Sequence, residues 1–172
     1  GYIFPDTYHI TTTATAEEIM DKALSNFGNK LTPELRAEIK AQGKTIYEII
    51  TLASIVENEV AKAEDMKIVA GIFWNRLDIG MGLQSDATIN YITSGKTTRP
   101  TADDLKIDSP YNTYKYRGLP PGPIANPGIA SIEAVINPTK TDYLYFLTTP
   151  DKQTIFSKTF EEHVAAKNKY LK

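Results

Sequence analysis

The 172-residue sequence contains no cysteine, which excludes disulfide staples, thiolate nucleophiles and cysteine-ligated zinc. Histidine is nearly as scarce. His9 and His163 stand alone, without the spacing of a metal site, so both are expected at surface or structural positions. No metal and no cofactor is expected. No apolar run approaches the roughly 20 residues that span a bilayer, and no signal peptide opens the chain. The formal net charge of −2 leaves no electrostatic basis for binding nucleic acid or a membrane surface. A Gly-x-Ser-x-Gly elbow, a phosphate loop and a dinucleotide fingerprint are all missing. The abrupt opening, Gly1-Tyr-Ile-Phe-Pro5, reads like the interior of a longer protein.

What is present is the composition of an ordinary globular protein, 41% hydrophobic and 23% charged, with enough length for one domain over residues 1–172. Thr15-Ala-Glu-Glu18 and Thr45-Ile-Tyr-Glu48 are capping boxes, opening a helix to about Gly28 and a second across residues 45–60. Pro33 starts a short helix that stops at Gly43. Another helix covers Glu64 to Asp78 and ends at Gly80-Met-Gly82. Short helical pieces are expected at Asp86 to Thr93 and Ala102 to Leu105, and a helix at Ile129 to Ile136. Gly118-Leu-Pro-Pro-Gly-Pro-Ile-Ala-Asn-Pro-Gly128 can be neither helix interior nor central strand, and reads as a functional loop. Tyr143 to Leu147 and Gln153 to Phe156 form a β-hairpin around Thr-Thr-Pro-Asp-Lys, and a helix closes the chain from Thr159 to Leu171. The class is α+β and rich in helix.

Glu57 is the residue hardest to explain as filler. At about 100° per residue, Ile46, Ile49, Ile50, Ala53, Val56 and Val60 share one helical face. Glu57 projects into the middle of that face, while Glu48 and Glu59 point away. A carboxylate aimed at a core is costly unless paired, hydrogen-bonded or protonated, and the last state suits a general acid. The structural alternative is a carboxylate satisfied by Arg76 or by backbone donors. Gln84, Ser85 and Asp86 form a polar run after a helix end. Ser85 or Asp86 suits the cap of the next helix, and Gln84 suits a sugar hydroxyl or amide. Tyr111 and Asn112, in Ser109-Pro-Tyr-Asn-Thr-Tyr114, combine an aromatic face with an amide, against the alternative of a turn with core tyrosines. Trp74 reads as packing, with Asn75 and Arg76 placed to support the nearby carboxylate.

Taken together, these stretches resemble the endolytic murein transglycosylases of the YceG-like (MltG) family. The resemblance rests on residues 1–8, 52–59, 73–77, 80–86, 109–114, 118–128 and 137–146. Other lytic transglycosylases and goose-type lysozymes share a looser order of catalytic Glu, Gly-Leu-Met-Gln and Tyr-Asn, matched here by Glu57, Gly82-Leu83-Gln84 and Tyr111-Asn112. Asn58 stands where that wider group has Ser, and the Met between Leu83 and Gln84 is missing.

The resemblance implies a lysozyme-like catalytic domain acting on peptidoglycan glycan strands outside the cytoplasmic membrane. It further implies a full-length protein anchored there by an N-terminal helix, with this fragment soluble and cell-wall synthases as candidate partners. Cleavage between N-acetylmuramic acid and N-acetylglucosamine would leave a 1,6-anhydro end, with Glu57 as acid and then base. Gln84, Ser85, Asp86, Tyr111, Asn112 and Asn75 would line the substrate site. Two alternatives stay open: a hydrolytic muramidase with Asp86 as second carboxylate, and a non-catalytic murein-binding module.

Overall fold

The computed structural model describes residues 1–95 and 100–171. Among them lie seven α-helices and one two-stranded antiparallel sheet at the C-terminal end, an α+β arrangement. The helices are α1 (Ala16–Lys30), α2 (Pro33–Ala41), α3 (Ile46–Val56), α4 (Ala63–Asp78), α5 (Asp86–Ile92), α6 (Ile129–Ile136) and α7 (Phe160–Tyr170). Both capping boxes form, with Thr15 and Thr45 accepting from the amides of Glu18 and Glu48. A third opens α7 at Thr159 and Glu162. The piece expected at Ala102 to Leu105 is a single 3₁₀ turn at Asp104–Lys106. No helix among the described residues is long and apolar enough to cross a membrane.

Helix α3 is the axis of the core. All eight residues from Ile49 to Val56 are buried, so beyond its first turn α3 has no solvent face to oppose a core face. It packs against α4 and α6, whose Val69, Ala70, Phe73, Ile132, Val135 and Ile136 complete the same cluster. A helix that is apolar all round must be enclosed on every side, which fixes α3 at the centre and makes neighbours of its two ends. The expectation of one apolar stripe therefore fails for a simple reason: Leu52, Ser54 and Ile55 are buried as deeply as Ile49 and Ala53.

The strands β1 (Tyr145–Thr148) and β2 (Thr154–Ser157) pair antiparallel, with Phe146 opposite Phe156 and Leu147 opposite Ile155. Each begins one or two residues later than the sequence suggested. The hairpin packs on α7 and is tied to α4 by the segment that precedes it. Gly71 of α4 makes that approach possible. A β-carbon there would lie 2.3 Å from the Thr139 carbonyl oxygen, a backbone atom. The Thr139 amide donates to the Lys67 carbonyl at 3.0 Å, and the Asn75 amide donates to the Thr141 carbonyl at 2.7 Å.

Gly71→Ala should therefore push residues 139–141 off α4. We predict a loss of about 1–3 kcal/mol in unfolding free energy, the usual cost of overpacking, measurable by urea titration followed by circular dichroism. An unchanged midpoint would show that the crossing has slack.

Candidate active site

Helix α3 ends at Val56, and this decides the fate of two carboxylates. Glu57 is the C-cap and residues 57–59 form a turn, so the wheel drawn through Val60 does not apply. Glu57 is half-buried, and its Oε2 accepts from the Gly128 amide at 3.2 Å. Gly128 is the N-cap of α6, where a negative group also meets the positive end of the helix dipole. Two further α3 residues hold the same loop. The Tyr47 hydroxyl donates to the Pro121 carbonyl, and Ser54 Oγ accepts from the Ile124 amide at 2.9 Å. Residues 47, 54 and 57 thus form a stripe that pins the Gly118–Gly128 loop along α3. Arg76 is not the partner of Glu57. Its Nε donates to the Leu144 carbonyl at 2.7 Å and its Nη1 to the Leu83 carbonyl at 2.6 Å.

Glu59, expected to point away, is the carboxyl that faces open space. It lies where two cavities meet, because both are lined by Glu59 and Asp86. The smaller, about 300 Å³, is bordered by Asn58, Ala87, Asn90, Tyr91 and Ile124. The larger, about 650 Å³, runs past Arg76, Gln84 and Tyr114 toward the hairpin and α7. Glu59 as a residue is half-buried, but its carboxyl group is enclosed and accepts a hydrogen bond from Ser85 Oγ. Enclosure raises its pKa from 4.5 to about 7. The Ser85 hydroxyl, the Arg76 guanidinium and the Ala87 amide pull the other way, and the Asp86 charge adds to the rise.

Ser85 is set by a layer of polar groups behind it. Its amide donates to Thr113 Oγ1 at 3.0 Å, and the Gln84 amide donates to the Thr113 carbonyl at 3.1 Å. Thr88 Oγ1 lies 2.9 Å from Thr113 Oγ1 and donates to the Ser85 carbonyl at 2.8 Å. Ser85 occupies the N-cap position of α5 but makes no side-chain cap bond, since its hydroxyl is given to Glu59 instead. Gln84 adopts a left-handed backbone with φ of 50°. This sparsely populated conformation turns the chain so that Leu83 is buried, Gln84 faces the cavity and Ser85 faces Glu59.

The remaining expected site residues divide. Asp86 accepts from the Tyr114 hydroxyl at 2.6 Å and lines both cavities. That bond and burial raise the Tyr114 pKa and keep it a neutral donor. Tyr111 packs on Tyr91 with ring centroids 4.9 Å apart, one residue removed from the smaller cavity. Asn112 does not face substrate space. It is fully buried and spends its whole amide on backbone: Nδ2 donates to Leu105 and Ile107, and Oδ1 accepts from Tyr114 and Lys115. It shapes the loop that carries Thr113. Asn75 is likewise committed to the Thr141 carbonyl and stays outside the groove.

Sequence reasoning missed Glu59, Thr113, Tyr114, Tyr145 and His163. For Glu59 the deciding feature appears only in the structure, where Asn58 donates to the Ser54 carbonyl and marks the point at which the helical path stops. Among the described residues, no group of three or more His, Asp and Glu side chains could hold a metal ion.

A carboxyl pKa raised on folding favours the folded state while protonated. Its contribution is complete below pH 4.5 and is lost as pH rises through about 7. We predict that Glu59→Gln gains stability relative to the parent chain between those values and holds the gain above them, in urea titrations at a series of pH values. A difference independent of pH would contradict the enclosure of Glu59.

The sequence pattern that defines the YceG-like family matches residues 1–169. The chain is 42% identical over 171 residues to a Bacillus subtilis protein named endolytic murein transglycosylase, covering 99% of this chain and 48% of that protein. It is 41% identical over 170 residues to a Streptococcus pneumoniae protein of the same name, covering 95% of this chain and 30% of that one. A crystal structure of a YceG-like protein from Listeria monocytogenes superposes with a TM-score of 0.91 at 41% identity, over 96% of this chain and 54% of that one. The chain thus spans about half the length of the Bacillus relative and less than a third of the Streptococcus one. With a match along almost its whole length and a shared fold, the chain belongs to the YceG-like family.

Proposed function

We propose that this chain is the catalytic part of a peptidoglycan lytic transglycosylase, with Glu59 rather than Glu57 as the acid. The observation that carries the proposal is the enclosed Glu59 carboxyl at the junction of two cavities, with a pKa of about 7. A carboxyl poised there can give up a proton and take one back at neutral pH. The relatives' name supports murein as the substrate.

In the proposed reaction a glycan strand runs through both cavities, with its scissile bond over Glu59. Protonated Glu59 donates to the glycosidic oxygen between N-acetylmuramic acid and N-acetylglucosamine, and the C1–O bond breaks. The Glu59 carboxylate then removes the proton from the muramoyl 6-hydroxyl, whose oxygen bonds to C1. The product carries a 1,6-anhydro end and no water is consumed. Ser85 holds the carboxyl in one orientation through both transfers. Gln84 and Asp86 are the polar groups nearest to a bound sugar, while Tyr111 and Asn112 act by shaping the loop behind them. The wider protein is read as anchored in the cytoplasmic membrane and acting on nascent strands outside it, with cell-wall synthases as candidate partners.

One observation favours a second reading. Asp86 borders the same space as Glu59, so a water held by Asp86 could attack C1 and make the enzyme a hydrolytic muramidase. The alternative of a pure binding module finds no support in the raised pKa of Glu59.

Glu59→Gln should lower cleavage of uncrosslinked glycan strands by at least about a thousandfold, whereas Glu57→Gln should retain most activity and lose stability instead. Mass spectrometry of the products separates the two chemistries, with anhydro-muramoyl ends for the lytic route and reducing ends for hydrolysis. Full activity in Glu59→Gln would overturn the assignment.

A further inference from the structure

The larger cavity continues well beyond Glu59, and its far wall has a different chemistry. Phe160, His163, Lys167 and Leu171 recur at a spacing of three or four residues, so one stripe of α7 faces the cavity. Such a stripe is ordinarily buried against a partner element. Here Phe160 is 58% exposed, and its ring centroid lies 5.9 Å from that of Tyr145 on β1. The His163 ring stacks on Tyr145 at 5.5 Å, which fixes its plane. His163 Nδ1 is shielded from solvent, yet it has no hydrogen-bond partner among the described residues. Lys167, one turn further on, forms no ion pair among them.

The charge balance of this arm favours an anion. Arg76, His163 and Lys167 border it together. Against them stand Asp86, which accepts from the Tyr114 hydroxyl, and Glu59, whose charged form enclosure opposes. Burial and the charges of Arg76 and Lys167 lower the His163 pKa, so its imidazole is a neutral ring with one N–H to offer. The smaller cavity is built differently. Asn58, Asn90, Tyr91 and Ile124 provide neutral amides and apolar surface, which suit hydroxyl and N-acetyl groups. A strand of neutral sugars alone would offer the exposed ammonium of Lys167 no charged partner, whereas an anion in this arm would meet it.

We propose that the α7 arm binds the acidic peptide branch of the glycan strand, with Lys167 meeting a peptide carboxylate, His163 a peptide oxygen, and Phe160 and Tyr145 the apolar stems. The inference rests on the reading of murein as the substrate and deepens it. It gives the groove a direction, with a peptide-bearing sugar on the α7 side of Glu59 and bare sugar on the Tyr91 side. Positioning by a group remote from the broken bond is an ordinary use of binding energy.

The test is calorimetric binding to the 172-residue chain carrying Glu59→Gln, using uncrosslinked strands with intact peptides and the same strands stripped of peptides by an amidase. Intact strands should bind about tenfold more tightly, the scale of one charge-assisted hydrogen bond partly open to water. Lys167→Glu should reduce that ratio to about one, and Lys167→Arg should keep it. Because Lys167 is exposed, neither change threatens folding. Equal affinity for the two strands, binding of neither, or equal weakening of both by Lys167→Glu would overturn the inference. Cleavage assays on the parent chain separate it from the reading it rests on. A ratio near one with cleavage intact removes only the peptide site, and a Lys167-dependent ratio without cleavage removes only the catalytic assignment.

Discussion

The arrangement depends on a single polar contact, the Ser85 hydroxyl donating to an enclosed Glu59 carboxyl. Neither group reaches the other by chance. Ser85 is held from behind by Thr113, Thr113 by Thr88, and the loop that carries Thr113 by the wholly committed amide of Asn112. Each layer is buried, so each bond is expensive to leave unmade, and the layers lock one another. The result is a carboxyl with one fixed orientation and a proton affinity near neutrality, at the meeting of two cavities.

Two glutamates, two positions apart, face different ways because α3 ends at Val56 and the chain turns through both. Glu57, the C-cap, still follows the helical path and joins Tyr47 and Ser54 in pinning the proline-rich loop, meeting the Gly128 amide at the start of α6. Glu59 lies beyond the last helical turn, where the turn directs it toward Ser85 and the groove. The loop pinned by the first contributes Ile124 to the cavity served by the second. In the proposed reaction, supporting the site falls to Glu57 and its chemistry to Glu59.

Much of this was legible in the sequence, and the exceptions have physical causes. The capping boxes at Thr15 and Thr45, the α4 and α6 boundaries, the irregular Gly118–Gly128 loop and the hairpin all follow from local rules, because local hydrogen bonds and φ preferences decide them. Gln84 and Asp86 of the polar run border the groove, while Ser85 between them is buried. The choice between Glu57 and Glu59 was not legible, since a wheel assumes that the helix continues, and only the Asn58 cap and the turn reveal that it does not. Read from the sequence, the Asn112 amide suits a sugar. That amide instead meets carbonyls five and seven residues upstream, through a loop closure that periodicity cannot register. His163 looks isolated in the sequence because its neighbours, Tyr145 and Arg76, come from other elements of the fold.

The most direct test of the central claim is the protonation of Glu59 itself, followed through its side-chain carboxyl carbon by carbon-13 NMR across pH 3 to 9. The account predicts a midpoint at about 7 for Glu59. It also predicts that replacing Ser85 by alanine moves that midpoint upward, as loss of a donor to the charged form requires. A midpoint at the ordinary 4.5, unmoved by that replacement, would mean a solvated carboxylate and would contradict the account.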